Sequence, residues 1–212
     1  ACVQYGESWC QRKPDPSSGR FRFSLSVPSE TLSRPRTPRI GAGRRDAPRS
    51  VEPMRGVLGS DTVSLWTDKL NLKRPLEGSG FRWHQDSPYW THACGHVDRL
   101  PNVMLTLDDA HRRNGCFRVV RGSHRKGCLP GIYDDTTLGP LFTDPEYIDE
   151  SAQVLLEVPA GSLIFFDPHA VHGSHPNESS EPRRALVLTY QPGGEPMFKR
   201  AGTRDCGAPR AA

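Results

Sequence analysis

The sequence predicts an all-β-dominated fold, a sandwich or jelly roll, preceded by a largely irregular N-terminal segment. Three observations carry this. Short β-like runs separated by turn formers recur through the later part of the chain. Proline and glycine number 20 each in 212 residues, and a proline share above the roughly 5% average disfavours a bundle of long helices. The character of the sequence also changes near Asp61.

Residues 1–60 hold 11 Lys+Arg against 5 Asp+Glu, and residues 61–212 hold 17 against 19, so the net charge of +4 belongs to the N-terminal part. From Lys13 to Ser60 the chain is dense in Arg, Pro, Ser and Gly, with Phe21, Phe23, Leu25 and Val27 as a lone strand-like alternation. We read 1–60 as mostly disordered or irregular. A nucleic-acid arm would need aromatics interleaved with its basic residues on a groove-forming fold. That pattern is missing, and no nucleic-acid partner is expected. Nor is a membrane, because no stretch approaches the roughly 18 to 20 uncharged apolar residues of a span, and the first ten residues lack the basic and apolar blocks of a signal peptide. The default expectation is cytoplasmic. Cys2, Cys10, Cys94, Cys116, Cys128 and Cys206 form no CxxC pair and are expected as free thiols.

After Asp61 the β-like runs fall at 62–72, 103–107, 116–120, 154–158, 163–166 and 185–190. Val103, Leu105 and Leu107 alternate with Met104 and Thr106, as a strand with two unlike faces does. Asn114-Gly115 between the second and third runs reads as a hairpin turn, since both residues tolerate positive φ. Pro159-Ala160-Gly161 similarly joins the fourth run to the fifth. The stretch 129–150, rich in Asp, Thr, Gly and Pro, reads as a long insertion of the kind that serves as a lid or binding loop.

All eight histidines lie between 84 and 175. His84-Gln85-Asp86 followed by His172 is the leading constellation. In an extended strand i and i+2 project from one face, so His84 and Asp86 can offer an imidazole nitrogen and a carboxylate oxygen to one metal, with His172 completing a facial triad from a neighbouring strand end. Two imidazoles and one carboxylate leave three octahedral positions open, which suits Fe(II) binding a cosubstrate and O2 together. Rival readings are weaker. His169, His172 and His175 could be zinc ligands on a helix, but Pro168, Gly173 and Pro176 oppose a helix there. His92, Cys94 and His96 lie in a loop without an evident fourth ligand. His124 reads as structural or surface, Asp108 and Asp109 as turn-closing or backbone-satisfying, and Arg184 as pairing with surface acids.

The context blocks, in order, are WHQD (83–86), LDDA (107–110) with NG (114–115) and GSH (122–124), PAGSLIFF (159–166), HGSHPN (172–177) and RRAL (183–186) ending in Tyr190. Over residues 61–195 this series resembles the phytanoyl-CoA dioxygenase family of Fe(II)/2-oxoglutarate-dependent oxygenases, which includes ectoine hydroxylase. The resemblance implies a double-stranded β-helix, a cupin-like jelly roll, spanning 61–195, with 196–212 as a flexible tail. It implies Fe(II) held by His84, Asp86 and His172, with 2-oxoglutarate and O2 as cosubstrates. Arg183 matches the arginine that pairs with the distal carboxylate of 2-oxoglutarate, a partner suited to a planar guanidinium. Ser174 sits where some members place a hydroxyl near the same cosubstrate. The implied activity is hydroxylation of a small organic molecule with release of succinate and CO2. Asp86 favours hydroxylation, because related halogenases lack this carboxylate. The other class of reading is a non-enzymatic or truncated jelly-roll protein that keeps the metal residues but binds a ligand or partner. Loops 87–98 and 129–150 and the tail after Gln191 are expected to carry specificity.

Overall fold

The computed structural model describes residues 2–4, 13–14, 21–22, 48–91, 93–132 and 141–196. The expected flexible tail at 197–212 and most of the segment before residue 48 lie outside the described residues. In chain order the elements are β1 (Cys2–Gln4), β2 (Lys13–Pro14), β3 (Phe21–Arg22), α1 (Pro48–Leu58), β4 (Val63–Lys73), β5 (Phe81–His84), β6 (Asn102–Thr106), β7 (Phe117–Val120), β8 (Gln153–Leu156), β9 (Leu163–Phe166), β10 (His172–Ser174) and β11 (Arg183–Pro192). β2 and β3 pair with each other. The rest form two antiparallel sheets, ordered β1-β9-β6-β11-β4 and β5-β10-β7-β8. This is the expected jelly roll.

Strand alternation explains how the sheets pack. On β6, β9 and β11, Met104, Ile164, Phe166, Ala185 and Val187 face the smaller sheet and meet Phe117 and Val119 of β7 in the inter-sheet core. Their neighbours Val103, Phe165, Leu186 and Leu188 form a second layer on the outer face, covered by Met54 of α1. β11 is thus buried on both faces, which is why Ala185 to Tyr190 reads as a nearly continuous apolar run. A third cluster backs the smaller sheet, with Trp83, Val120, Leu129 and Val171 packed together.

Two expectations are corrected. The folded part begins before Asp61, because Val51, Met54 and Leu58 place an apolar stripe on α1 against the larger sheet. Pro53 and the Arg/Pro-rich surroundings obscure this helix in the sequence; burial of Met54, fully inaccessible, holds it. The turns at 114–115 and 159–161 are also not hairpins. β6 and β9 belong to the larger sheet and β7 and β8 to the smaller, so each turn lies on a crossover between sheets. Asn114 ends a short 3-10 turn, and Gly115 caps it at φ 72°. A Cβ on Gly115 would overlap the His175 carbonyl, so glycine serves a close approach there as well as a backbone angle.

Candidate metal centre

The smaller sheet brings the site together. β5 and β10 are antiparallel with His84 directly opposite His172, and the two rings lie 4.0 Å apart between centroids. Gly173 makes this close pairing possible, since a Cβ there would come 2.7 Å from the Phe81 carbonyl. Asp86 reaches the pair differently from the strand alternation expected of it. β5 ends at His84, and Asp86 sits at φ −80°, ψ −28° where a 3-10 turn begins. That turn is pinned by one acceptor, the Pro168 carbonyl, which takes the Asp86 N–H at 3.1 Å and the Ser87 N–H at 3.0 Å. Gln85, between the two candidate ligands, is fully buried. Its amide nitrogen donates to Gly127 O and His169 O, and its oxygen accepts from Leu129 N, at 2.8, 2.6 and 2.7 Å.

His84, Asp86 and His172 are all buried, and one potential ligand atom from each lies within 4.8 Å of the others. Each imidazole is oriented by a backbone carbonyl: Arg82 O lies 3.1 Å from His84 Nδ1, and Ala170 O lies 2.8 Å from His172 Nδ1. A carbonyl only accepts, so both Nδ1 atoms carry the proton and both Nε2 atoms keep a lone pair. His172 Nε2 faces Asp86 Oδ2 at 3.9 Å, and that oxygen is buried with no hydrogen-bond partner. Ligand bonds of about 2.0–2.2 Å put two donors of one ion roughly 3–4 Å apart, so modest side-chain rotation closes this set around a single cation. The donor chemistry fits a first-row divalent metal.

Electrostatics favour the ligating forms. Burial, reinforced by the charge of His172, pushes His84 down to about 3 from an ordinary 6.5. Burial likewise lowers His172. For Asp86 burial acts upward, but Lys69, His172 and His84 outweigh it and hold the carboxyl below its usual range. Lys69 Nζ, from β4 across the sandwich, reaches Asp86 Oδ1 at 3.3 Å.

Of the other residues singled out in the sequence, Ser174 is buried on β10, two positions from His172 and on the same strand face. Arg183, first in β11, is 5% exposed, and its Nε is buried without a partner. It stands directly across from Lys73, whose pKa is pushed down to about 8 by burial and by Arg183 itself. Phe117 and Phe166 each hold a ring 5.1 Å from His172, and Phe81 meets His84 edge to face at 4.5 Å. Phe142, in the 129–150 insertion, bridges to His84; residues 133–140 of that insertion lie outside those described.

The remaining histidines have other partners. His169 bonds Ser87 Oγ at 2.8 Å and Asp98 at 2.6 Å, and His175 meets Arg118 at 3.3 Å. The three-histidine zinc reading therefore fails. His96 packs edge-on to Trp66 and reaches Gln191, while His92 is outside the described residues. Asp108 grips Arg184 through two side-chain bonds at 2.9 and 2.7 Å, and Asp109 accepts from Ala160 N. Burial raises the buried Cys116 thiol to about 11, which keeps it unreactive. Sequence reading missed Lys69. Its signal was present in β4, where Thr67, Lys69, Asn71 and Lys73 alternate with Trp66, Asp68, Leu70 and Leu72, leaving one face of the strand wholly polar.

A jelly roll carrying a His-x-Asp at the end of one strand and a distant His on the neighbouring strand of the same sheet defines the class of this protein. The chain belongs to the phytanoyl-CoA dioxygenase (PhyH) family, whose family model matches residues 16–185. It is 31% identical over 135 residues to a methylphosphonate hydroxylase of Gimesia maris, covering 64% of this chain and 48% of that protein. It is 30% identical over 174 residues to an ectoine dioxygenase of Bordetella bronchiseptica, covering 73% of this chain and 54% of the other. Among solved structures, EctD from S. alaskensis with 2-oxoglutarate and 5-hydroxyectoine superimposes with a TM-score of 0.56 at 27% identity, covering 68% of this chain and 49% of that one. The chain spans about half the length of the curated relatives it matches.

Proposed function

We propose that this protein is an Fe(II)- and 2-oxoglutarate-dependent oxygenase that hydroxylates a small organic molecule and releases succinate and CO2. One observation carries the reading: two buried imidazoles with carbonyl-anchored Nδ1 atoms converge with a buried carboxylate whose Oδ2 has no other partner. His84, Asp86 and His172 would hold the iron, which with O2 and 2-oxoglutarate supplies the oxidising power for attack on a C–H bond. Arg183 anchors the distal carboxylate of 2-oxoglutarate. Its buried, unpartnered Nε–H is a donor that such an anion satisfies, and a guanidinium keeps its charge even where burial lowers its pKa. Ser174 offers a hydroxyl from the same face as His172. Phe117 and Phe166, both buried, exclude water from the His172 imidazole.

The relatives named for methylphosphonate, L-proline and ectoine support a small molecule as the substrate. Cys94, Cys116 and Cys128 are free thiols, which supports a reducing, cytoplasmic setting. No helix among the described residues is long and apolar enough to cross a membrane.

The test needs no substrate. Purified anaerobically and given Fe(II) and 2-oxoglutarate, the protein should develop the weak visible charge-transfer band of a chelated 2-oxo acid. His172→Ala should abolish the band, and Arg183→Ala should raise the half-saturating 2-oxoglutarate concentration at least tenfold. Folded protein that retains iron yet shows no band overturns the proposal.

A further inference from the structure

We propose that Lys69 selects the substrate, and that the substrate carries an anionic oxygen group, a carboxylate or phosphonate, which the Lys69 ammonium receives. This deepens the oxygenase reading and rests on it.

Lys69 stands at the mouth of the site. Its Nζ lies 3.3 Å from Asp86 Oδ1, yet its side chain is 46% exposed where that of Asp86 is 1% exposed. Of these two paired side chains only that of Lys69 reaches solvent, so a molecule that approaches Asp86 along it meets Lys69 first. Strand register fixes this direction. Lys69 is paired with Val187 and Asn71 with Ala185, and both partners belong to the inter-sheet core. Cross-strand partners share a face, so Lys69 and Asn71 look inward at positions where packing alone would favour apolar residues. Both stay exposed.

Charge then selects the ligand. Lys69 and Asp86 form an ion pair, but a divalent cation on Asp86 draws on the same carboxylate and sets a like charge within a few ångströms of the ammonium. An anionic oxygen placed there relieves that repulsion. The cosubstrate has its own anchor elsewhere. Arg183 is paired with Lys73, four residues along β4 from Lys69, or about 13 Å at strand rise. A diacid held at Arg183 and a ligand held at Lys69 thus have separate anchors along β4. The 2-oxo acid end of the cosubstrate is the other possible source of the same anionic chemistry, and the experiment separates the two.

Wild type, Lys69→Met and Lys69→Arg are each loaded anaerobically with Fe(II) and titrated with 2-oxoglutarate, then with methylphosphonate or its uncharged dimethyl ester. Two quantities are read: the charge-transfer band and the methylphosphonate bound at equilibrium dialysis. Methylphosphonate should bind and shift the band in wild type, and the ester should do neither. Lys69→Met should weaken methylphosphonate binding at least tenfold while 2-oxoglutarate half-saturation stays within twofold, and Lys69→Arg should restore most of the binding. If Lys69→Met leaves methylphosphonate binding intact, or if wild type takes the ester equally well, the proposal is overturned. It is also overturned, in favour of the cosubstrate as the anion, if the Met variant loses 2-oxoglutarate affinity instead. A band absent from all three proteins overturns the oxygenase reading itself, and this inference with it.

Discussion

Replacing Gln85 by leucine should be among the most destabilising single changes near the site, although Gln85 ligates nothing. The side chain is fully buried and makes three short bonds, donating to Gly127 O and His169 O and accepting from Leu129 N. Leucine is of similar size, so the main loss is polar. Two carbonyls and one N–H are left without this partner, and each such group costs about 1–3 kcal/mol when buried. Because the contact to Gly127 is only part-buried, the lower half of that range applies to it, and the total comes to about 3–8 kcal/mol. That is a large share of a typical stability of about 5–15 kcal/mol. Urea unfolding of Gln85→Leu against wild type, both without metal, measures it. Gln85→Glu is the companion: it keeps an acceptor for Leu129 N but turns a carboxylate oxygen toward the two carbonyls, so it should rescue little. A loss below about 1 kcal/mol for Gln85→Leu would refute the view that this side chain ties the 127–129 segment and the His169 loop to the metal motif.

Two further outcomes follow from the packing and the charges. Met54→Ala should cost about 2–4 kcal/mol, because Met54 is wholly buried between α1 and the larger sheet; an effect near zero in the same unfolding assay would show that α1 is no part of the folded unit. Metal-free protein should lose stability on acidification. His84 is held at about 3 against an ordinary 6.5, so between those values the unfolded chain binds a proton that the folded chain refuses. The stability is full above pH 6.5 and falls toward pH 3 by up to about 1.4 kcal/mol per pH unit from this group, with His172 acting in the same direction. Unfolding midpoints at pH 7.5 and 5.5 test this, and His84→Gln should flatten the slope; a wild-type profile already flat over that interval contradicts the assignment.

The strands were legible because their signal is local. The alternation at Val103 to Thr106 and the apolar run from Ala185 to Tyr190 appear as β6 and β11 within a residue or two of their predicted ends. The pairing of His84 with Asp86 was legible for the same reason, since two residues of separation lets side chains meet in several backbone conformations. The structure uses a turn pinned by the Pro168 carbonyl where the sequence suggested a continuing strand.

By itself the sequence determined the all-β class and six of the strands, which follow from short-range periodicity, and, through the resemblance of its motif blocks, the set of residues able to hold a metal; β5 and β10, the short strands that carry His84 and His172, have no such run of their own. Only the tertiary structure decided which sheet each strand joins. A turn residue such as Gly115 specifies its own φ, but whether the next strand folds back or crosses over depends on which apolar faces remain to be covered. The same holds for the helix at Pro48–Leu58, whose three apolar residues suffice because the outer face of β6, β9 and β11 lies beneath them. It holds most of all for Lys69 and Asp86, seventeen positions apart. They meet because two sheets face each other, and no local pattern encodes the distance between sheets.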